Sequence, residues 1–288
     1  MYEISLSQAV DLFARTTRGA GASDLERPWA WGDYDSEGVR FAHFRVYEEL
    51  RALAISIAAA RAVAGRAPTQ AQRILAQYHV AFCDLRAALL GLSDDDASRA
   101  PADGEWPIKQ VVAHSAGADI GFYVAIQHAL HRSSAGDSSP APIPGDAWDA
   151  LIGLDEQSFD AVMSGPWSDL LAYHQFFHQR ILDDFSPITE DELDLLSKYW
   201  ENLPMNIRYR LGRFDSHMRQ HTVQIDKTLI TLGRAPGEVS RLLRLIYAAL
   251  GEVEGAGIGA PDILTKLSAP AAQSIHAKAI ELAAILNT

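Results

Sequence analysis

Apolar residues recur at every third or fourth position over four long stretches, and that spacing leaves the chain little choice but helix. From Thr69 the chain offers Ile74, Tyr78, Phe82, Leu85 and Leu89, closed by Gly91. From Pro107 come Ile108, Val111, Val112, Phe122 and Ile126; from Ser168 come Leu170, Leu171, Phe177, Ile181 and Phe185. From Pro204 come Ile207, Leu211, Phe214, Met218, Ile225 and Leu229, closed by Gly233. The two prolines stand where a helix can begin, because a first-turn residue has no internal hydrogen bond to lose. Thr189 followed by Glu192 predicts a capping box and a shorter helix before Pro204. No stretch alternates with period two for long, so strands are not expected.

Four long amphipathic helices predict an all-α four-helix bundle over residues 69–234. Residues 1–68 form a helical extension before it, with at least two helices between 5 and 65. Residues 235–288 form another, its two helices split by the loop from Gly255 to Pro261. Residues 132–147, rich in Ser, Pro and Gly, are expected as a long irregular connection between the second and third bundle helices. Asp24 to His43 and Asp96 to His114 echo each other in composition and interval; a common helix-start composition explains that more simply than a decayed repeat.

Composition narrows the function classes. At 48% hydrophobic and 22% charged residues the chain is globular, not disordered. A net charge of −12 disfavours nucleic acid and anionic membrane as partners. The single cysteine, Cys83, excludes an intramolecular disulfide and any zinc cluster built on several cysteines. It is expected as a packed thiol, with Arg86 its one cationic neighbour in sequence. The longest apolar run, Ala52 to Ala60, is too short to span a bilayer. The start of the chain lacks a basic segment followed by an apolar one, so a cytoplasmic protein is expected. Trp29, Trp31 and Tyr34 form an aromatic cluster more consistent with packing than with a pocket.

Histidines carry the only patterned chemistry. Two pairs, His174/His178 and His217/His221, have i, i+4 spacing, which places both imidazoles of a pair on one helix face, within reach of one divalent metal. Ten histidines scattered over 288 positions would produce about 0.3 such pairs, so two are unusual. A catalytic zinc needs a third ligand. His114 is the candidate: Gly117, Ala118 and Gly121 follow it at three, four and seven residues, leaving a face stripped of bulk for a helix or ligand to approach. The competing assignment for His114 is a core histidine bonded to a backbone carbonyl.

These segments resemble a known family. Gly104 to His114 (GEWPIKQVVAH) resembles the second helix of the DinB/YfiT-like metalloprotein superfamily, in which a tryptophan and a helix start precede a metal-binding histidine. Leu211 to Ile225 (LGRFDSHMRQHTVQI) resembles its fourth helix with the H-x-x-x-H pair, and Gln72 to Asp96 its first helix and exit. The resemblance implies an up-down-down-up four-helix bundle in which His114, His217 and His221 bind one divalent metal with open coordination positions. Zinc suits the imidazoles best, with nickel, iron and manganese also compatible. Relatives of this kind include transferases dependent on bacillithiol or mycothiol, a mycothiol-dependent maleylpyruvate isomerase and metal-dependent hydrolases. A small-molecule substrate, with a low-molecular-weight thiol as a further partner, is therefore expected. The family does not take ligands from its third helix, so one of His174 and His178 is expected in the core or near the site and the other partly exposed.

Around the histidines, Gln224 is a pocket candidate for orienting a water or substrate, and Arg210 and Arg213 for binding an anionic carboxylate. Asp119 and Asp215 are candidates for the distal imidazole nitrogen of a ligand, although surface charge is the commoner fate of either. The terminal extensions depart from the family's usual size; they would cover the bundle, cap the pocket or make a homodimer. The alternative function is a non-catalytic helical binding module with a structural or vestigial metal site, closed by a fourth ligand such as His174, His178 or a carboxylate.

Overall fold

The computed structural model describes residues 4–33, 38–153, 156–201 and 203–287; Tyr34 lies outside them. The protein is all-α: α1 (Leu6–Thr17), α2 (Ala22–Leu25), α3 (Gly38–Val63), α4 (Gln70–Ala88), α5 (Asp94–Ser98), α6 (Ile108–Ser134), α7 (Gly145–Ile152), α8 (Glu156–Ser164), α9 (Trp167–Phe185), α10 (Ile207–Thr231), α11 (Glu238–Gly257) and α12 (Pro261–Leu286). The chain forms two compact units. One comprises Met1–Pro68, His79–Gly91 and Gly233–Thr288; the other comprises Thr69–Tyr78 and Leu92–Leu232. None of the described helices is long and apolar enough to cross a membrane.

In the first unit α1 packs on α12, and α3 packs on both α11 and α12. Its core includes Phe13, Val46, Leu50, Ile246, Leu250, Ile275 and Leu282, all buried. A reciprocal cap starts α1: the Ser5 hydroxyl accepts the Gln8 amide and the Gln8 side chain accepts the Ser5 amide. At Gly251, α11 comes so close to the second half of α4 that an added Cβ would lie 2.9 Å from Val80 Cα.

In the second unit α6 is the central helix. Every residue from Ile120 to Ile126 is buried, because α9 and α10 both pack against it. The first half of α4 joins them through Tyr78, whose ring lies 4.5 Å from His178 and 5.0 Å from Phe214. The four bundle helices thus fall where the apolar spacing predicts them.

Four local expectations are corrected. The Thr189/Glu192 pair does bond reciprocally, at 2.8 and 3.3 Å. It caps only a three-residue 3-10 turn, Glu192–Asp194, because Leu195 then turns extended at φ −59°, ψ 137°. A two-residue antiparallel hairpin follows, β1 (Leu196–Ser197) on β2 (Met205–Asn206), too short for any period-two pattern to register. Its last residue, Asn206, caps α10 by accepting the Tyr209 amide at 2.8 Å, so the helix starts three residues after Pro204. Finally, α6 runs on to Ser134, and Pro144 precedes α7. The irregular connection therefore occupies only 135–144, and the short helices α7 and α8 follow it.

Candidate metal centre

His217 and His221 lie on the buried stripe of α10, in line with Phe214, Met218 and Ile225. Their Nε2 atoms face each other at 3.1 Å. His114 on α6 meets them where the two helices pack, with ring centroids 5.3 Å from His217 and 4.8 Å from His221. One ligand-type nitrogen from each of the three lies within 4.8 Å of the others. His217 and His221 are buried and His114 is exposed, so the cluster opens to solvent on the His114 side. Aromatic rings flank it: Trp106 against His114 at 5.2 Å and Phe122 against His217 at 5.8 Å.

The surrounding bonds prepare the imidazoles for a cation. His221 Nδ1 donates to the Gln224 side-chain carbonyl at 2.9 Å, which leaves its Nε2 as a lone pair directed at His217. The proton between the two facing nitrogens then belongs to His217; a cation held by both Nε2 atoms would require that proton to move to Nδ1, which is buried without a hydrogen bond. Burial pushes the His217 pKa down to about 3, with His221, His114 and Arg213 adding to the effect. Burial also lowers that of His221, against the opposing pull of Gln224 and Asp119. Two neutral imidazoles at neutral pH are the protonation state a metal requires. Zinc–imidazole bonds of about 2.05 Å at a tetrahedral angle separate two ligand nitrogens by about 3.3 Å, close to the 3.1 Å observed. The donor set fits a divalent cation.

The other candidates take varied positions. Gln224 touches the cluster through His221. Arg210 is fully buried, and its guanidinium is engaged by Glu201 at 2.9 Å and by the Ser197 hydroxyl, clamping the hairpin to α10. Arg213 is the cation that acts on His217, its guanidinium 5.9 Å from the Phe122 ring. Asp119 accepts from Tyr78 Oη at 2.7 Å, and His174 Nε2 lies 3.4 Å from the same oxygen, so it bonds no member of the cluster directly. Its second oxygen, Oδ1, is buried without a hydrogen-bond partner. Burial raises the Asp119 pKa, opposed by His174 and Tyr78. Asp215 pairs with Arg219 at 2.7 Å along the surface of α10. His174 and His178 are both buried, contrary to the expectation that one would be partly exposed, because the α9 face carrying them packs inward.

Two features of the site escaped the sequence. The bare face of α6 is covered by aromatic side chains: Phe159 approaches Gly117, and an added Cβ at Gly121 would lie 2.0 Å from Tyr199 Oη. A cavity of about 460 Å³, lined by Ile143, Trp148, Asp149, Ile152, Phe159 and Asp160, opens beside them. Trp148 stacks on Tyr199 at 6.1 Å. The run of small residues was the only signal for these aromatic partners.

A model of the DinB superfamily matches residues 77–225, just over half of the chain, and the protein belongs to that superfamily. All three clustered histidines lie within the match; α1 to α3, α11 and α12 lie outside it. No match was found among the curated proteins or the solved structures.

Proposed function

We propose that this protein is a metal-dependent enzyme in which His114, His217 and His221 hold one divalent cation that activates a water or thiol nucleophile. The observation that carries this is the convergence of three imidazole nitrogens within 4.8 Å on two packed helices. When bound, such a cation supplies Lewis acidity and lowers the pKa of a coordinated water or thiol. Zinc is the first choice, with nickel, iron and manganese compatible with the same donors.

The chain's own residues do the rest. Three neutral imidazoles leave the cation's charge uncompensated, which favours ionisation of an incoming nucleophile. Gln224 fixes the tautomer and orientation of His221. Trp106 and Phe122 pack against the rings of His114 and His217. Among the described residues the group contains three protein ligands, with exposed His114 at its edge, and this favours an open catalytic position over a closed structural one. The cavity walled by Phe159, a residue that approaches Gly117 on α6, is the candidate room for a small-molecule substrate. Arg213, which acts electrostatically on His217, is the candidate to hold a substrate anion. A thiol S-transferase or a hydrolase uses such a site. A reducing, cytoplasmic setting suits a thiol co-substrate and the buried free Cys83.

The test is metal content of untagged protein prepared without chelator, beside the H217A/H221A variant, followed by a screen for thiol transfer and ester or amide hydrolysis. A bound equivalent absent from the variant, and activity lost in H114A, H217A and H221A, are expected. Full activity in all three single variants would overturn the assignment.

A further inference from the structure

A second convergence of metal-binding side chains lies in the first unit, outside the three-histidine cluster. His79 and Cys83 stand at i and i+4 on α4, so both face the same way, and Glu254 comes from α11. His79 Nε2 lies 2.8 Å from Glu254 Oε2 and 3.7 Å from Cys83 Sγ. One ligand-type atom from each of the three falls within 4.8 Å of the others. His79 and Cys83 are buried, Cys83 completely. The close approach that Gly251 permits sets this spacing: an added Cβ there would lie 3.3 Å from Cys83 Cβ, and Glu254 follows three residues later on α11.

We propose that His79, Cys83 and Glu254 form a second metal site that takes one thiophilic divalent cation, zinc. Tetrahedral zinc with one sulfur and one nitrogen ligand, at about 2.3 and 2.05 Å, separates those atoms by about 3.6 Å; the sulfur–nitrogen distance here is 3.7 Å, while the 2.8 Å nitrogen–oxygen contact would have to open by about 0.5 Å to admit the ion. The charges also balance. A thiolate, a carboxylate and a neutral imidazole neutralise a dication, which makes burial tolerable, whereas three neutral histidines leave the dication's charge whole. Thiolate ligation selects zinc over hard cations such as magnesium.

Of the three residues, Glu254 also faces a cavity. It measures about 300 Å³ and is lined by Glu254 together with Ser5, Ser7, Leu264, Thr265 and Ser268. Glu254 lies beyond the residues matched to the DinB superfamily, so this site depends on the C-terminal helices. The competing occupant is a proton shared by His79 and Glu254, which their 2.8 Å contact would also accommodate.

Cobalt(II) titration of the full-length, metal-free protein decides between them, because a thiolate ligand produces a charge-transfer band in the near ultraviolet. Cys83 is the only cysteine, so any such band reports this site alone. The wild type is expected to develop the band. H217A/H221A should keep it, and C83A and E254Q should lose or weaken it while keeping one cobalt at the histidine cluster. No band at saturating cobalt would leave a proton as the occupant and overturn the proposal, as would a band undiminished in both H79Q and E254Q. A band lost in H217A/H221A with the fold intact by circular dichroism would also overturn it. Should C83A fail to fold, the wild-type spectrum and E254Q still decide the matter. The histidine cluster is tested by a different variant, so either site can fail without the other.

Discussion

At the residue scale, the local bonds of each histidine decide what it can do. Gln224 holds His221 in one tautomer. Its replacement by leucine should weaken metal binding at the histidine cluster by roughly ten- to a hundredfold, the usual effect of losing such an orienting partner. Competition against a chelator of known affinity measures this, and an unchanged affinity would remove Gln224 from the site. His43 behaves differently. Its Nδ1 donates to the Val39 carbonyl at 3.1 Å, its Nε2 is buried without a partner, and Phe13 packs edge-on at 5.1 Å. Burial lowers its pKa from 6.5 to about 4, against the weaker pull of Val39 and Glu238. The unfolded chain therefore binds the proton more tightly than the folded one. The stability from keeping His43 neutral is complete above pH 6.5, is lost as pH falls toward 4, and is constant below that. A shift of this size corresponds to a loss on the order of 3 kcal/mol. Urea midpoints of the wild type and H43M at neutral and acid pH should diverge accordingly, the wild type falling further. Parallel curves would show that His43 does not titrate in this way. The sequence marks His217 and His221 by their spacing and Gln224 as a pocket candidate beside them; that Gln224 orients His221, and not a water or substrate, is decided by the turn of its side chain back along the helix.

At the element scale, the packing of α11 on α4 is the contact most sensitive to a single methyl. Alanine at Gly251 would gain helix propensity, about 1 kcal/mol, yet its Cβ would stand 2.9 Å from a backbone atom of Val80 that cannot swing away. Net destabilisation of about 1–3 kcal/mol is expected from such overpacking. A thermal midpoint unchanged or raised in G251A would mean that the helices separate without penalty. Long helices are legible in the sequence because their apolar stripes repeat through several turns, as in α4, α6, α9 and α10. Short elements are not. The 3-10 turn after Thr189 carries the same capping pair as a helix, and only the extended backbone at Leu195 ends it. The four residues of the hairpin offer no period at all.

At the scale of the whole molecule, an ion held only by the folded state stabilises it by mass action, by about 2.7 kcal/mol at a hundredfold excess over Kd. Zinc should raise the thermal midpoint of metal-free protein, and H217A/H221A should lose the histidine cluster's share of that rise. Equal shifts in wild type and variant would show that the cluster does not bind zinc. The sequence by itself determined the helical class, the places of the long bundle helices and the face shared by His217 and His221. Each follows from relations within one or two turns of chain. Only the tertiary structure decided that α6 delivers His114 to that face, since the partners are about a hundred residues apart and meet by packing. It alone buried the imidazoles and so lowered the pKa values of His217 and His221. It also engaged Arg210 with Glu201 and left Arg213 as the cation acting on the site. It brought Glu254 to His79 and Cys83, a meeting that depends on a glycine in α11 and on how closely two helices can approach.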